Sequence, residues 1–215
     1  NLTIYVANLS QKYQEKVTYE NLNLQFEPNK TYAIIGPSGS GKSTILNSLA
    51  RIIRPTQGQI SIDNQNIWKI KEQKFFKEYL GYVFQNYALI DEKTVAYNLS
   101  LVNKNIDQQI EALSDYGLDS DLLKSKIYEL SGGQAQRVSM ARMALKKPKI
   151  ILADEPTGAL DEKTGADIIA RILDLATPET YVIIATHDPH IYNQVDVVIN
   201  LEKLLAGGNN NDYEN

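Results

Sequence analysis

Short apolar and β-branched runs recur along the chain, and each run ends at turn residues. Such runs are typical of β-strands. Several lack the polar alternation of a half-exposed strand, which favours strands covered on both faces in a parallel sheet between helices. The pattern predicts eight strands, at 2–6, 22–26, 31–35, 59–62, 80–84, 150–153, 181–185 and 195–200.

Helical patterns separate these strands. Apolar residues at helical spacing, together with capping and stop residues, predict helices over 42–53, 106–116, 132–146 and 162–176. The order indicates an α/β fold in a single domain spanning 1–215, with 1–85 and 149–205 as its core. Residues 86–148 contain helices but no obvious strand, which indicates a helical insertion. The Gly- and Asn-rich tail, 206–215, is expected to be mobile.

Composition narrows the classes of function. The chain has 215 residues, 43% of them hydrophobic and none of them cysteine, which excludes a disulfide scaffold, a thiolate zinc site and a cysteine nucleophile. The net charge of −4 provides no positive field for nucleic acid. The longest apolar runs are far shorter than the ~20 residues that cross a bilayer, so we expect no membrane span.

A glycine-rich loop follows the predicted strand 31–35 and opens a helix. It fits the phosphate-loop pattern G-x-x-x-x-G-K-[ST] at every fixed position. Glycines let successive backbone N–H groups turn towards phosphate oxygens, and the helix N-terminus adds partial positive charge. The loop predicts nucleotide binding by Gly36, Ser38, Gly39, Ser40, Gly41, Lys42, Ser43 and Thr44, in which Lys42 supplies a full charge and Ser43 ligates magnesium.

Two adjacent carboxylates end the predicted strand 150–153. Because neighbours on a strand point to opposite sides, Asp154 and Glu155 suit different tasks. We expect Asp154 to hold the magnesium shell and Glu155 to orient and deprotonate an attacking water.

A capping-box arrangement begins the helix 132–146. Ser131 is followed three residues later by Gln134, and Gly132 and Gly133 lie between them. Glycines weaken a first helical turn by up to ~1 kcal/mol each relative to alanine. Close backbone approach to a ligand would explain that cost.

Here the chain resembles the ATP-binding cassette (ABC) family over essentially its whole length. The run 130–137 is similar to the family signature, and other motifs follow in the family's order. Gln85 resembles the Q-loop, Asp161 belongs to a run resembling the D-loop, and His187 resembles the switch histidine. Tyr13 stands about where the family stacks an aromatic side chain on adenine.

The resemblance implies a RecA-like P-loop NTPase core with a mainly parallel sheet, an antiparallel β subdomain and an inserted helical subdomain. It implies ATP and Mg²⁺ as ligands. The implied catalytic residues are Glu155, His187, Lys42 and Gln85; the implied metal ligands are Ser43, Gln85 and Asp154; and the implied nucleotide contacts include Tyr13, Ser131, Gly133, Gln134 and Asp161.

The family also implies partners and a place in the cell. Two copies, or two paired ATPase subunits, would pack head to tail so that Ser131 and Gly133 face the partner's γ-phosphate. A separate integral membrane permease would hold the protein on the cytoplasmic face of the cell membrane, and no nucleic-acid partner is expected.

The run 84–95 resembles bacterial exporter cassettes for macrolides, lipoproteins and antimicrobial peptides, although Tyr97-Asn98 stands where those relatives usually have Glu-Asn. We expect a permease to dock near 85–101, where exposed side chains of Tyr87, Leu89, Ile90 and Val95 would offer an apolar surface.

Three alternatives remain at this point. A soluble cassette acting on nucleic acid or ribosomes is disfavoured by the acidic charge and by the presence of one cassette. A GTPase would need an Asn-Lys-x-Asp base reader, which neither Asn29-Lys30 nor Asn103-Lys104 begins. A small-molecule kinase would leave the 130–137 run unexplained.

Overall fold

A computed structural model describes residues 3–37, 39–83, 88–158 and 160–207, and the backbone of 213–214. Predicted site residues Ser38 and Gln85, together with Tyr87, lie outside the described residues. None of the helices it describes combines the length and apolar character needed to cross a membrane.

Five parallel strands form the centre of the molecule. The larger sheet contains β3 Thr31–Ile35, β6 Leu80–Val83, β7 Ile150–Asp154, β8 Tyr181–Ala185, β9 Val197–Asn200 and β10 Tyr213–Glu214. Their order across the sheet is β10-β9-β3-β8-β7-β6, and only β10 runs antiparallel to its neighbour. β3, β7 and β8 are almost continuously buried, as the apolar runs predicted.

A second, antiparallel sheet has the order β2-β1-β4-β5. Its bounds are β1 Ile4–Tyr13, β2 Lys16–Phe26, β4 Gln57–Ile62 and β5 Gln65–Asn66. The α/β class, with a parallel sheet, an antiparallel sheet and helices, is therefore confirmed.

Eight helices connect and flank the strands over the described part of the chain, together with short 3-10 and π turns. Described residues 88–148 hold helices and turns and contribute no strand to either sheet, as predicted for the insertion. The bounds are α1 Lys42–Leu49, α2 Glu72–Lys74, α3 Val95–Ser100, α4 Ile106–Asp115, α5 Gly132–Lys146, α6 Glu162–Asp174, α7 Pro189–Tyr192 and α8 Leu201–Leu205.

Two apolar cores lie on opposite faces of the parallel sheet. Ile150 and Leu152 point into the core shared with α1 and the antiparallel sheet. Ile151 and Ala153 point into the core shared with α3, α5 and α6. This alternation follows from the two-residue period of a strand. Each face of the sheet is thus covered by a different part of the chain.

The first two strands are longer than the sequence predicted. The predicted strands 2–6 and 22–26 are only parts of β1 and β2, because irregular pairing hides the alternation. The β1–β2 register shifts three times between Val6 and Lys12, and Asn8 has a φ of 51°. Bulges of this kind break the period on which strand prediction depends.

Helix α1 ends at Leu49, four residues before the predicted end. Arg51 adopts a φ of 58°, which stops the helix. Its guanidinium donates to the Ile70 carbonyl (2.9 Å) and lies over the rings of Trp68 and Phe75. Tertiary contacts thus override the local helical pattern.

Candidate active site

The glycine-rich loop lies at the carboxyl end of β3 and leads directly into α1, as predicted. Gly39 and Gly41 have φ values of 81° and 104°, which favour glycine. A Cβ at Gly41 would lie 2.9 Å from the Thr18 side chain. Gly41 also provides no side chain to cap α1, so the first N–H groups of the helix are left for an anion.

Two polar groups in this loop fit a phosphate ligand. The Ser40 hydroxyl is buried and has no hydrogen-bond partner among the described residues. The Lys42 ammonium is buried and donates to the Gly36 carbonyl. Buried polar groups are normally satisfied, so an unpaired hydroxyl beside a buried cation fits an oxyanion that supplies the acceptors.

Glu155 lies between the two other predicted catalytic side chains. Its Oε1 is 3.7 Å from the Lys42 Nζ and 2.7 Å from the Nδ1 of His187. Its backbone has a φ of 43°, in the left-handed region, and its N–H donates to the Ala185 carbonyl of the next strand (2.9 Å). Neighbouring strand ends therefore bring Lys42, Glu155 and His187 together.

Thr186 was not predicted to belong to this cluster. Its hydroxyl donates to the Glu155 Oε2 over 3.4 Å, and it accepts from the Asp188 N–H over 3.0 Å. Its position next to His187 at the end of β8 was the only available signal in the sequence.

Asp154, the last residue of β7, faces the start of α1. The Ser43 hydroxyl lies near the Asp154 carboxyl and favours its ionised form. Burial raises the pKa of that carboxyl above its usual range and the charge of Glu155 raises it further, whereas the Ser43 hydroxyl and the Lys42 charge act in the opposite direction. A half-buried carboxylate beside a hydroxyl is a donor set that suits Mg²⁺, which prefers oxygen ligands.

An open cleft of about 650 Å³ joins these groups. Residues of the β1–β2 hairpin form one wall, a contribution that local sequence patterns did not reveal because the hairpin is distant from the loop along the chain. The lining residues are Lys16, Val17, Thr18, Pro37, Gly39, Gly41, Lys42, Ser43, Thr44, Glu155 and His187.

Tyr13 lies on the same hairpin, at the end of β1. It pairs across the strands with Lys16, which lines the cleft. Tyr13 itself is not among the described residues that line the cleft. Its side chain is 71% exposed, and a stacking role on adenine remains a prediction.

None of the described residues of the 130–137 run lines this cleft. The predicted capping box is present at α5: the Gln134 N–H donates to the Ser131 hydroxyl (3.1 Å), and the Ser131 N–H donates to the Gln134 side chain (3.0 Å). A Cβ at Gly133 would meet no described atom within 4 Å. Packing within one copy therefore gives no reason for glycine at Gly133.

Asp161 also lies away from the cleft that contains Lys42. It caps α6 by accepting from the Thr164 N–H (3.2 Å), and hydrogen bonding with Thr164 lowers the pKa of Asp161. It lines a separate depression of about 320 Å³ with Glu162, His190 and Gln194. A nucleotide role for Asp161 within one copy is therefore not supported by contact with the cleft.

The predicted docking segment is partly internal. Val95 was expected at the surface, but it is fully buried at the start of α3, in the core that also contains Leu99 and Val138. Leu89 packs against the same core, whereas Ile90 is 42% exposed. The expectation for Val95 was wrong because α3 turns that side chain inward.

Comparison with known proteins agrees with the architecture and the loop. The sequence model of the family described as "ABC transporter" matches residues 19–158. The chain is 38% identical over 204 residues to the ABC transporter ATP-binding protein YvrO of Bacillus subtilis, covering 88% of this chain and 89% of that protein. It is 37% identical over 215 residues to the lipoprotein-releasing system ATP-binding protein LolD of Rickettsia felis, covering 94% and 96% respectively.

A third relative is longer. The macrolide export ATP-binding/permease protein MacB of Psychrobacter cryohalolentis is 37% identical over 207 residues, which are 90% of this chain and 31% of that protein. The chain thus spans about a third of the length of this relative.

Solved structures share the fold. A dimeric bacterial ABC transporter cassette superposes with a TM-score of 0.79 at 32% identity, covering 92% of this chain and 93% of that one. A post-hydrolysis dimer of that cassette bound to ADP and Pi gives a TM-score of 0.78 at 31% identity. These matches favour a transport ATPase over a cassette that acts on nucleic acid or ribosomes. The chain belongs to the ABC transporter family, as an ATP-binding and ATP-hydrolysing cassette.

Proposed function

We propose that this cassette energises a separate membrane permease that exports peptide, lipoprotein or drug-like substrates. The observation that carries the proposal is the convergence of Lys42, Glu155 and His187 beside the phosphate loop. Export is inferred from the relatives, two of which are named for lipoprotein release and macrolide export. The permease would hold the protein at the cytoplasmic face of the cell membrane.

In this proposal the phosphate loop binds the ATP phosphates. The free N–H groups of α1, the Ser40 hydroxyl and the Lys42 ammonium face the oxyanions. Ser43 and Asp154 would hold Mg²⁺, with Gln85 as a further ligand. The metal would supply positive charge that offsets charge developing on the phosphates.

Glu155 is the proposed general base. Its carboxylate takes a proton from the attacking water, and His187, in contact with the same carboxylate, orients it. In the present arrangement the Lys42 ammonium also faces Glu155. Because phosphate oxygens are stronger partners for that ammonium, we expect ATP binding to draw Lys42 away and leave Glu155 to the water.

The catalytic unit is proposed to be a head-to-tail dimer. Gly133 has open space around it. The capping box engages the N–H groups of Ser131 and Gln134 and not those of Gly132 and Gly133, which would meet an anion at the start of α5. Since the described groups of this cleft come from 16–18, 37–44, 155 and 187, the γ-phosphate would meet Ser131 and Gly133 from a second copy. Gln134 supports that end through the capping box, and Asp161 would approach the same interface.

The permease is proposed to dock where the helical insertion meets the parallel sheet. A groove of about 300 Å³ lies there between β6 and α5, with Leu80, Met143 and Leu101 among its lining. Leu101 is 54% exposed, and Tyr97, four residues earlier in the chain, is 43% exposed. An apolar segment of a permease would cover these side chains.

Replacement of the proposed base tests the mechanism. Glu155→Gln keeps the size and most contacts of the side chain but removes its basicity. We expect ATP turnover to fall by about 10²–10⁴-fold while ATP affinity is retained, because a positioned base contributes a factor of that size. Turnover is measured by phosphate release and affinity by calorimetry.

The exposed carboxylate Glu179 provides the matched control, and Glu179→Gln should hydrolyse ATP like the unaltered protein. Undiminished turnover in Glu155→Gln would refute the role given to Glu155.

A further inference from the structure

A hydrogen bond joins the phosphate-loop helix to a strand that the sequence motifs do not include. The Tyr82 hydroxyl, on β6, donates to the Asn47 Oδ1 on α1 over 3.0 Å. The Tyr82 side chain is partly buried and packs against the core that lies under α1. The contact therefore joins β6, the edge strand of the parallel sheet, to the helix that starts at Lys42.

Asn47 and Ser43 are four residues apart on α1, so they lie on the same face of the helix. Ser43 lies near Asp154 on β7, and Asn47 accepts a hydrogen bond from Tyr82 on β6, the adjacent strand. The Tyr82–Asn47 hydrogen bond thus holds this face of α1 one turn beyond Ser43.

Tyr82 is also close enough to sense the charge of Asp154. Burial raises the pKa of the Tyr82 hydroxyl, and the Asp154 carboxylate raises it further. On its other side Tyr82 lines the groove between β6 and α5.

We propose that Tyr82 is a positioning residue for magnesium: by holding Asn47, it fixes Ser43, one turn earlier on α1, opposite Asp154, and these two side chains would hold the metal. The inference rests on the proposed function, in which Ser43 and Asp154 hold Mg²⁺. Tyr82 touches neither the nucleotide nor the metal in this scheme and acts through α1.

The test separates binding of the nucleotide from the contribution of the metal. ATP dissociation constants are measured by calorimetry for the full chain, in excess Mg²⁺ and in EDTA. Tyr82→Phe removes only the hydroxyl. We expect the factor by which Mg²⁺ tightens ATP binding to fall about fivefold, which corresponds to about 1 kcal/mol for one hydrogen bond, while the affinity in EDTA is unchanged.

Two further variants show whether Tyr82 acts through Asn47. Asn47→Ala should lower the magnesium factor by a similar amount, and the double variant should be no worse than either single one, since both remove the same contact. Tyr79→Phe is the matched control, because it deletes a phenol hydroxyl three residues away, on a ring that stacks on Phe75. Its magnesium factor should equal that of the unaltered protein.

A magnesium factor unchanged in Tyr82→Phe would overturn the inference. So would an equal loss of affinity in Mg²⁺ and in EDTA, which indicates general loosening, or effects of the two single variants that multiply in the double variant. If the unaltered chain bound ATP no better with Mg²⁺, the proposed magnesium site would fail as well. The magnesium factor of the unaltered chain thus distinguishes the two failures.

Discussion

Individual side chains of the site are buried at a cost to the stability of the fold. Lys42 is a buried cation whose nearest counter-charge is the Glu155 carboxylate at 3.7 Å. Asp154 is a half-buried acid whose pKa is raised, chiefly by burial. An ion kept in a poorly solvated place lowers stability unless it is paired. Charged groups that are buried at a cleft, at a cost to stability, are typical of a binding site.

The raised pKa of Asp154 has a consequence for stability. An acid whose folded-state pKa lies above its unfolded value binds its proton more tightly when folded, so stability falls as pH rises through that interval. Asp154→Asn removes this loss. Without nucleotide or metal, we expect the variant to melt at a higher temperature than the unaltered chain at neutral pH, with a smaller difference in acidic buffer.

Melting curves at several pH values check this expectation, with Asp167→Asn, at an exposed position in the middle of α6, as control. Mg²⁺ with ATP should stabilise the unaltered chain by about 2.7 kcal/mol at a hundredfold excess over the dissociation constant, and should stabilise Asp154→Asn much less. A melting difference that does not change with pH would contradict the account of Asp154.

The starts of helices could be predicted from the sequence, whereas the extents of irregular strands could not. The capping pairs and the stop at Pro148 locate α5 correctly, because these signals act within a few residues. The extents of β1 and β2 depend on bulges around Asn8, and the end of α1 depends on Arg51 reaching Trp68. Those causes are tertiary, and a local pattern does not contain them.

The candidate site likewise contains residues that the sequence predicts and residues that it does not. Lys42, Asp154 and Glu155 were predictable because each belongs to a motif on one loop or strand end. The wall formed by Lys16, Val17 and Thr18 was not predictable, because it depends on how the antiparallel sheet packs against the loop.

The start of α5 offers a test in which stability and assembly move in opposite directions. Gly133→Ala adds a methyl group in open space, so the isolated chain should gain up to about 1 kcal/mol of helix stability. If the partner's phosphate approaches this backbone, the same methyl group should weaken ATP-dependent dimers. Thermal melting measures the first effect, and light scattering in a Glu155→Gln background measures the second.

Gly117→Ala is the contrasting control. Its site is equally open, but its φ of 70° makes alanine unfavourable by roughly 1 kcal/mol, and dimerisation should be unaffected. Normal dimers with Gly133→Ala would count against the proposed interface.

The cleft that contains Lys42 and Glu155 is one half of the proposed catalytic unit. The start of α5 and Asp161 lie outside it, and similar cassettes have been solved as dimers. Dimerisation would therefore be driven by the nucleotide that bridges two copies, and hydrolysis would remove the bridge.

This view predicts that Glu155→Gln, which binds ATP but turns it over slowly, accumulates as a dimer. Light scattering should give about twice the monomer mass with ATP and Mg²⁺ and the monomer mass with ADP. The unaltered chain serves as the comparison, because turnover limits the lifetime of its dimer. Monomers alone in saturating ATP would refute the bridging arrangement.

The two cores on opposite faces of the parallel sheet also determine which part of the molecule a substitution in a strand affects. Successive residues of β7 and β8 face different surroundings: one set supports the phosphate loop, and the other supports the helical insertion. Adjacent positions of one strand therefore affect two different parts of the molecule. Substitutions at Ile151 or Val182 therefore act first on the core shared with α3, α5 and α6, whereas substitutions at Ile150 or Ile183 act first on the core under the phosphate-loop helix.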